Sequence, residues 1–357
     1  MGLVRLFLAL SVVAAHTGFV FGVNSEIAVE AFFIISGYLM SLILTERQSY
    51  SSNMTFWKSR ALRIYPLYWL VATLSFVFAV FRNSLGGTVA LFDVFKAIPD
   101  AGKALLTFSN TTIFLQDVTL FASADSSHIF LVSNFRDHPI QLHDGLLVPQ
   151  AWSLSLELTF YLLAPFVLRK KIALIGLFSV SIFLKAALLS TGIGFVDPWS
   201  YRFFPAELTF FLAGALSHQY LKPLATKLNP TNTKFVGQAV RFMVPVYILT
   251  FPLIPGSALR SLLLVGLLLV TLPSLATTQA HSKIDSKFGE MSYPVYVWHL
   301  LVLEVFAFVL GDHFSTMPKY LVFAITTIAT LAISVFTNRY FDKPIQTMRI
   351  ALRKRGT

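Results

Sequence analysis

The sequence predicts an all-α, polytopic membrane protein with about ten transmembrane helices and both termini in the cytoplasm. Three observations lead there. Hydrophobic residues make up 55% of the 357 and charged residues only 13%, with a mean hydropathy of +0.70; a soluble domain carries about 25% charged residues. Apolar stretches long enough to cross a bilayer recur along the chain. The basic residues gather in alternate connections between them.

In chain order the stretches lie at about 3–22, 27–45, 64–82, 152–168, 171–190, 204–221, 239–255, 258–276, 292–310 and 318–338. The first continues past the small residues Ala14 and Ala15, so it reads as a span rather than a cleaved leader. Residues 104–121 carry Lys103, Asn110, Gln116 and Asp117 around them and are too polar to count as a span. Charge supports that omission. With the N-terminus inside, most of the 28 basic residues fall on the inner side, including Arg47, Lys58, Arg169, Lys170, Lys171, Lys222 and the tail from Arg339 to Arg355. One extra span at 104–121 would invert every later loop, against the positive-inside rule. Residues 83–151 are therefore expected to form a long outer segment. No long polar stretch suggests a second domain, so the chain reads as one domain over 1–357.

Composition also excludes chemistries. Cysteine is absent, which removes disulfides, thiolate nucleophiles and cysteine-held metal. The net charge of +11 is explained by cytoplasmic loops at a membrane-lipid surface and implies no nucleic acid. The outer segment holds His128, His138, His143, Asp125, Asp137 and Asp144, but their spacing matches no ligand pattern, so no metal is expected.

Ionisable residues inside spans are costly and mark functional candidates. Arg5 and His16 share one face of the first span, ~16 Å apart along a helix. Glu30 enters the second span and, if the two spans are antiparallel, reaches nearly the depth of His16. A carboxylate beside an imidazole suits a general base. Arg60 and Arg63 are neighbours on the third span. With Arg5 expected at the same inner surface, three arginines offer bidentate contacts to phosphate, which fits a phosphorylated cofactor. Glu157 lies two turns into a span opened by Trp152, and Glu207 heads the related phrase ELTFF. With Glu30 and Glu304, these carboxylates are candidates to line an outer-leaflet chamber. Gly37 in Ser36-Gly37-Tyr38 reads as a close helix contact. His299 is a candidate acceptor contact or a buried structural histidine.

The ordered phrases RLFLALSVVAAH, VEAFFIISGYL, FWKSRALRIYPLYW, WSLSLELTFYLLAP, FFPAELTFFLAGAL, GEMSYPVYVWHLLV and YFDKP resemble the acyltransferase family 3 of integral membrane proteins, which includes bacterial O-acetylases of O-antigen and exopolysaccharide. The resemblance covers essentially the whole chain. It implies that Arg5, His16, Arg60 and Arg63 are functional, that acyl-CoA, most often acetyl-CoA, is the donor, and that a hydroxyl on a glycan or lipid-linked sugar is the acceptor. On that reading Arg5, Arg60 and Arg63 bind the donor, His16 and Glu30 are catalytic, and Trp152, Glu157, Glu207 and His299 contact the acceptor. The implied location is the bacterial cytoplasmic (inner) membrane. The family often has Asp at Glu30, a second acidic residue at Leu158 and Glu at Asp342. Many relatives add a C-terminal esterase-like domain, which is not expected here. A homo-oligomer is compatible with the sequence, which leaves the oligomeric state open. The rival expectation is a transporter or flippase, whose polar pathway would use His16, Glu157, Lys185 and Glu207 without covalent chemistry.

Overall fold

A computed structural model describes residues 1–228 and 233–354; Arg355, the last of the expected inner basic residues, lies outside the described residues. The helices are α1 (Gly2–Thr17), α2 (Ser25–Ser41), α3 (Asn53–Ser84), α4 (Ala90–Ala97), α5 (Asp100–Thr112), α6 (Trp152–Val167), α7 (Lys171–Ser190), α8 (Phe204–Leu216), α9 (Lys222–Leu228), α10 (Thr233–Thr250), α11 (Ser257–His281), α12 (Lys283–Leu310), α13 (Asp312–Thr316), α14 (Lys319–Thr337) and α15 (Lys343–Lys354). Two short strands, β1 (Ala122–Ala124) and β2 (Ile129–Leu131), form an antiparallel hairpin.

Among the described residues six helices are long and apolar enough to cross a membrane: Ser25–Glu46, Asn53–Ser84, Lys171–Ser190, Ser257–Thr277, Lys283–Leu310 and Lys319–Leu352. The remaining expected spans correspond to shorter helices, α1, α6, α8 and α10. The difference has local causes. Gly18, at φ 72°, ends α1 by turning its N–H back onto Ala14 and Ala15 carbonyls, well short of residue 22. The span expected at 204–221 is α-helical over Phe204–Leu216, and the polar Ser217, His218 and Gln219 that follow in a π-helical turn lower its apolarity. In the other direction, α12 starts at Lys283, where the Ser282 hydroxyl accepts from the Asp285 N–H.

The described chain divides into two compact units. The first contains Met1–Ser59, Ala164–Phe178 and Phe210–Thr357; the second contains Arg60–Leu163 and Ser179–Thr209. In the first unit α1 lies chiefly against α12, then against α2 and α14, while α10 pairs with α11.

In the second unit the outer segment is folded. Val94, Ile98, Leu106, Ala122, Ala124, Leu142 and Leu146 make a small apolar core between α4, α5 and the hairpin. The doubtful stretch at 104–121 becomes the end of α5 followed by a turn in which Ile113 and Leu115 take φ of 69° and 65°. A helix leaves its last carbonyls without partners. Here α3 supplies them: Tyr65 donates to Thr112 O at 2.6 Å, Tyr68 to Asn110 O at 2.7 Å and the Trp69 indole to Thr111 O at 2.9 Å. The aromatic half of the motif RIYPLYW thus fastens the outer segment to the third helix.

Candidate active site

In the first unit, α1 and α12 are in backbone contact at one end. A Cβ on Gly2 would overlap the Asp285 carbonyl. The Asp285 carboxylate accepts the N–H groups of Gly2 and Leu3, both at 2.9 Å, and so caps the start of α1. Further along, Ala9, Val13 and Val295 pack together. Gly2 precedes His16 by the same interval that separates Asp285 from His299, so two parallel helices in register bring the histidines level.

His299 is buried and His16 is exposed. Their rings lie 4.9 Å apart, centroid to centroid, with His299 Nε2 3.3 Å from His16 Nδ1. Elementary donor and acceptor rules place the protons. His299 Nδ1 is 2.7 Å from the Tyr296 carbonyl, which only accepts, so Nδ1 carries the hydrogen and Nε2 of the neutral ring keeps a lone pair. His16 Nδ1 is 2.9 Å from the Val12 carbonyl and must also carry hydrogen. A neutral His16 ring therefore has its basic lone pair on Nε2. Glu30 is buried on α2, the helix packed beside α1, and Phe32 on the same helix meets Tyr296 edge-on at 6.4 Å. Arg5 sits half-buried on α1, three turns before His16.

The mid-span Gly37 is a packing residue, as its sequence context suggested. A Cβ there would overlap the Phe211 carbonyl, and Gly214 approaches Ile34 in the same way. Phe33 stacks on Phe211 at 4.4 Å across this contact. At the end of α2 lies a polar group that sequence reasoning missed. His218 Nδ1 is 3.0 Å from the Ser41 hydroxyl, its Nε2 is 2.9 Å from Glu46, and Lys222 is 2.5 Å from the same carboxylate. A histidine and a lysine one turn apart at the end of an apolar run were the available signal.

In the second unit, Arg60 is buried on α3 with its guanidinium 5.9 Å from the Tyr161 ring centroid, and Arg63 follows one turn on. The Tyr161 hydroxyl donates to the Glu157 carboxylate. Trp152 is buried beneath Arg202, which lies 4.3 Å from its ring centroid. Asp197 holds Arg202 at 2.6 Å and Arg136 at 2.7 Å. Glu207 is fully buried and ion-paired with Lys185 at 2.6 Å. The two similar phrases around Glu157 and Glu207 thus give their carboxylates different partners, a tyrosine and a lysine.

In the outer segment burial perturbs two groups. Burial pushes the Asp117 carboxyl up, against the pull of the Ser155 hydroxyl at 2.6 Å. Burial pushes His143 down, against the opposing effect of Asp144 at 3.2 Å. His128 pairs instead with Asp125 at 3.9 Å. Among the described residues no group of three or more His, Asp or Glu could hold a metal ion.

A helical chain with several helices long and apolar enough to cross a membrane is a multi-pass membrane protein, and its histidine pair is carried on two of the apolar helices. The family profile described as an acyltransferase domain matches residues 1–339, and the chain belongs to this acyltransferase family 3. It is 22% identical over 372 residues to the putative peptidoglycan O-acetyltransferase YrhL of Bacillus subtilis, covering 96% of this chain and 54% of the relative. It is likewise 22% identical over 377 residues to the peptidoglycan O-acetyltransferase OatA of Listeria monocytogenes, with the same coverage. A putative acetyltransferase, ORF330, of Acidianus two-tailed virus is 25% identical over 281 residues, covering 75% of this chain and 71% of the relative. The chain thus spans about half the length of the two peptidoglycan O-acetyltransferases. No solved structure matches it.

Proposed function

We propose that the protein is an O-acyltransferase of the bacterial inner membrane that moves an acyl group, most simply acetyl, from cytoplasmic acyl-CoA to a sugar hydroxyl of an exported glycan. The observation that carries the reading is the state of His16: its Nδ1 proton is committed to the Val12 carbonyl, which leaves Nε2 as the basic nitrogen. His16 Nε2 takes the proton of the acceptor hydroxyl as that oxygen attacks the thioester carbonyl. The carbon–sulfur bond then breaks, the thiolate leaves, and His16 returns its proton to sulfur. General base catalysis of this kind is worth about 10²- to 10⁴-fold. Glu30, buried on α2, favours the protonated ring through its charge. Arg5 on α1 and the Arg60–Arg63 pair on α3 are the donor-phosphate residues, in keeping with the bidentate chemistry of guanidinium groups. Trp152, Glu157 and Glu207 are assigned to the acceptor side, Glu157 with its tyrosine partner being the best placed to exchange a hydrogen bond. The names of the Bacillus and Listeria relatives add peptidoglycan to the acceptors to test beside lipid-linked sugars.

The test uses purified protein, radiolabelled acetyl-CoA and membrane glycolipid or wall glycan. Wild type should transfer label and His16→Ala should not, while both bind donor. Transfer by His16→Ala at the wild-type rate would overturn the assignment. Absence of acetyl exchange by the wild type, together with uptake of a polar solute into vesicles, would favour the transporter.

A further inference from the structure

We propose that His299 is a positioning residue for His16: a neutral imidazole that accepts the Nδ1 hydrogen of His16 and thereby steadies the charge His16 gains when its Nε2 takes a proton. The proposal rests on the reading of His16 as the base. It moves His299 from the acceptor contact expected of it to a place behind the ring that reacts.

The argument begins with how the two helices are fixed. Asp285 caps α1 and Gly2 touches the Asp285 backbone at one end, while Ala9 and Val13 meet Val295 in between. That arrangement sets the register of α1 on α12 to within a side chain. It leaves His299 buried and His16 exposed at the same level. A buried imidazole without hydrogen-bond partners is costly. His299 has one on each nitrogen, the Tyr296 carbonyl at 2.7 Å and His16 at 3.3 Å.

The direction of the second bond follows from the first. The Tyr296 carbonyl requires hydrogen on His299 Nδ1, so a neutral His299 can only accept at Nε2. The Val12 carbonyl requires hydrogen on His16 Nδ1, so that hydrogen is shared between Val12 O and His299 Nε2. A hydrogen bond from a neutral donor is modest. The same bond from an imidazolium is charge-assisted and roughly twice as strong. The gain therefore appears only when His16 is protonated, in step with the transition state, which is the condition for an interaction to accelerate a reaction. Carboxylates often fill this place behind a catalytic histidine. An imidazole does so without adding a net negative charge among the apolar residues between α1 and α12.

Two substitutions and one spectrum test the proposal. His299→Leu removes the acceptor at similar bulk. His299→Gln restores one, because its amide oxygen can face His16 Nδ1. The leucine variant should lose about 10- to 100-fold in kcat, the scale of one hydrogen bond to a charged group, with KM for acetyl-CoA within about twofold. The glutamine variant should recover most of that loss. Nitrogen-15 spectra of histidine-labelled wild-type protein, recorded without substrate near pH 7, should show His299 protonated at Nδ1 and bare at Nε2. A His299 protonated at Nε2 would overturn the proposal, as would a leucine variant with wild-type kcat. Leucine and glutamine variants equally inactive but melting like wild type would also overturn it, since an acceptor alone would then be insufficient. A wild type that transfers acyl groups to nothing would remove the catalytic reading of both histidines, while the spectrum decides the hydrogen bond by itself.

Discussion

Two pairs of ionisable side chains come from apolar helices of this protein, and they are built on opposite terms. Lys185 and Glu207, in the second unit, are 2.6 Å apart and cancel each other's charge. Lys185 also donates to the Ser200 carbonyl at 3.2 Å. His16 and His299, in the first unit, carry no opposite charges to cancel. Each has a backbone carbonyl that fixes its proton, and the asymmetry between them leaves a basic nitrogen. Ionisability inside a span does not distinguish the two pairs; the identity of the partner does. A salt-bridged pair is a closed arrangement that resists change, whereas an imidazole pair can take up a proton and stabilise the resulting charge through the hydrogen bond between the rings.

The contrast can be broken most forcefully at its reactive end. His16→Ala should lower kcat by about 10²- to 10⁴-fold with no change in melting temperature, checked by label transfer and by thermal unfolding in detergent. The ion pair should answer in the other way. Glu207→Gln leaves Lys185 without its counter-charge and should cost about 3–5 kcal/mol of stability. The double variant Lys185→Met/Glu207→Gln should regain much of that stability, read by thermal unfolding in detergent. If Glu207→Gln instead left stability intact and abolished transfer, the two pairs would not differ in the way described.

A third substitution asks whether packing alone mimics either effect. Gly37→Ala drives a methyl into the Phe211 carbonyl and should cost about 1–3 kcal/mol, read as a lower melting temperature with kcat per folded molecule unchanged. The smallest effect belongs to the outer segment. His143 has its pKa lowered by burial, so below its ordinary value near 6.5 the unfolded chain takes up a proton before the folded one. Stability should therefore fall as pH drops through 6.5, by at most about 1.4 kcal/mol per pH unit. His143→Gln should flatten that slope in a denaturant series run from pH 7.5 to 5.5.

What the sequence disclosed followed the range of its patterns. Apolar periodicity and one shared helix face made Arg5, His16 and the Arg60–Arg63 neighbours candidates, because each relation is local to one helix. Gly37 was read correctly as a contact, because small residues in apolar helices have few other uses. The His16–His299 bond joins residues 283 apart, and no local pattern reports such a distance. The same limit hid the joining of His218 to Ser41 and Glu46. Span lengths were misjudged where one residue decides an end, as Gly18 does for α1. The packing within the long outer segment was not legible, because its core joins Val94 of α4, Leu106 of α5 and Leu146, single residues set far apart in the chain.

The cap that Asp285 places on α1 also has a consequence in time. A ribosome makes α1 before α12, and the carboxylate that accepts its leading N–H groups arrives 283 residues after Gly2. Until then the helix carrying His16 can enter the bilayer but cannot lock its register. The order of synthesis thus keeps the two histidines apart until α12 has been made, and the bond between their rings forms only then. Chains arrested before Lys283 should exchange the Gly2 and Leu3 amide hydrogens faster than chains that include α12, and equal exchange in both would show that α1 settles without its cap.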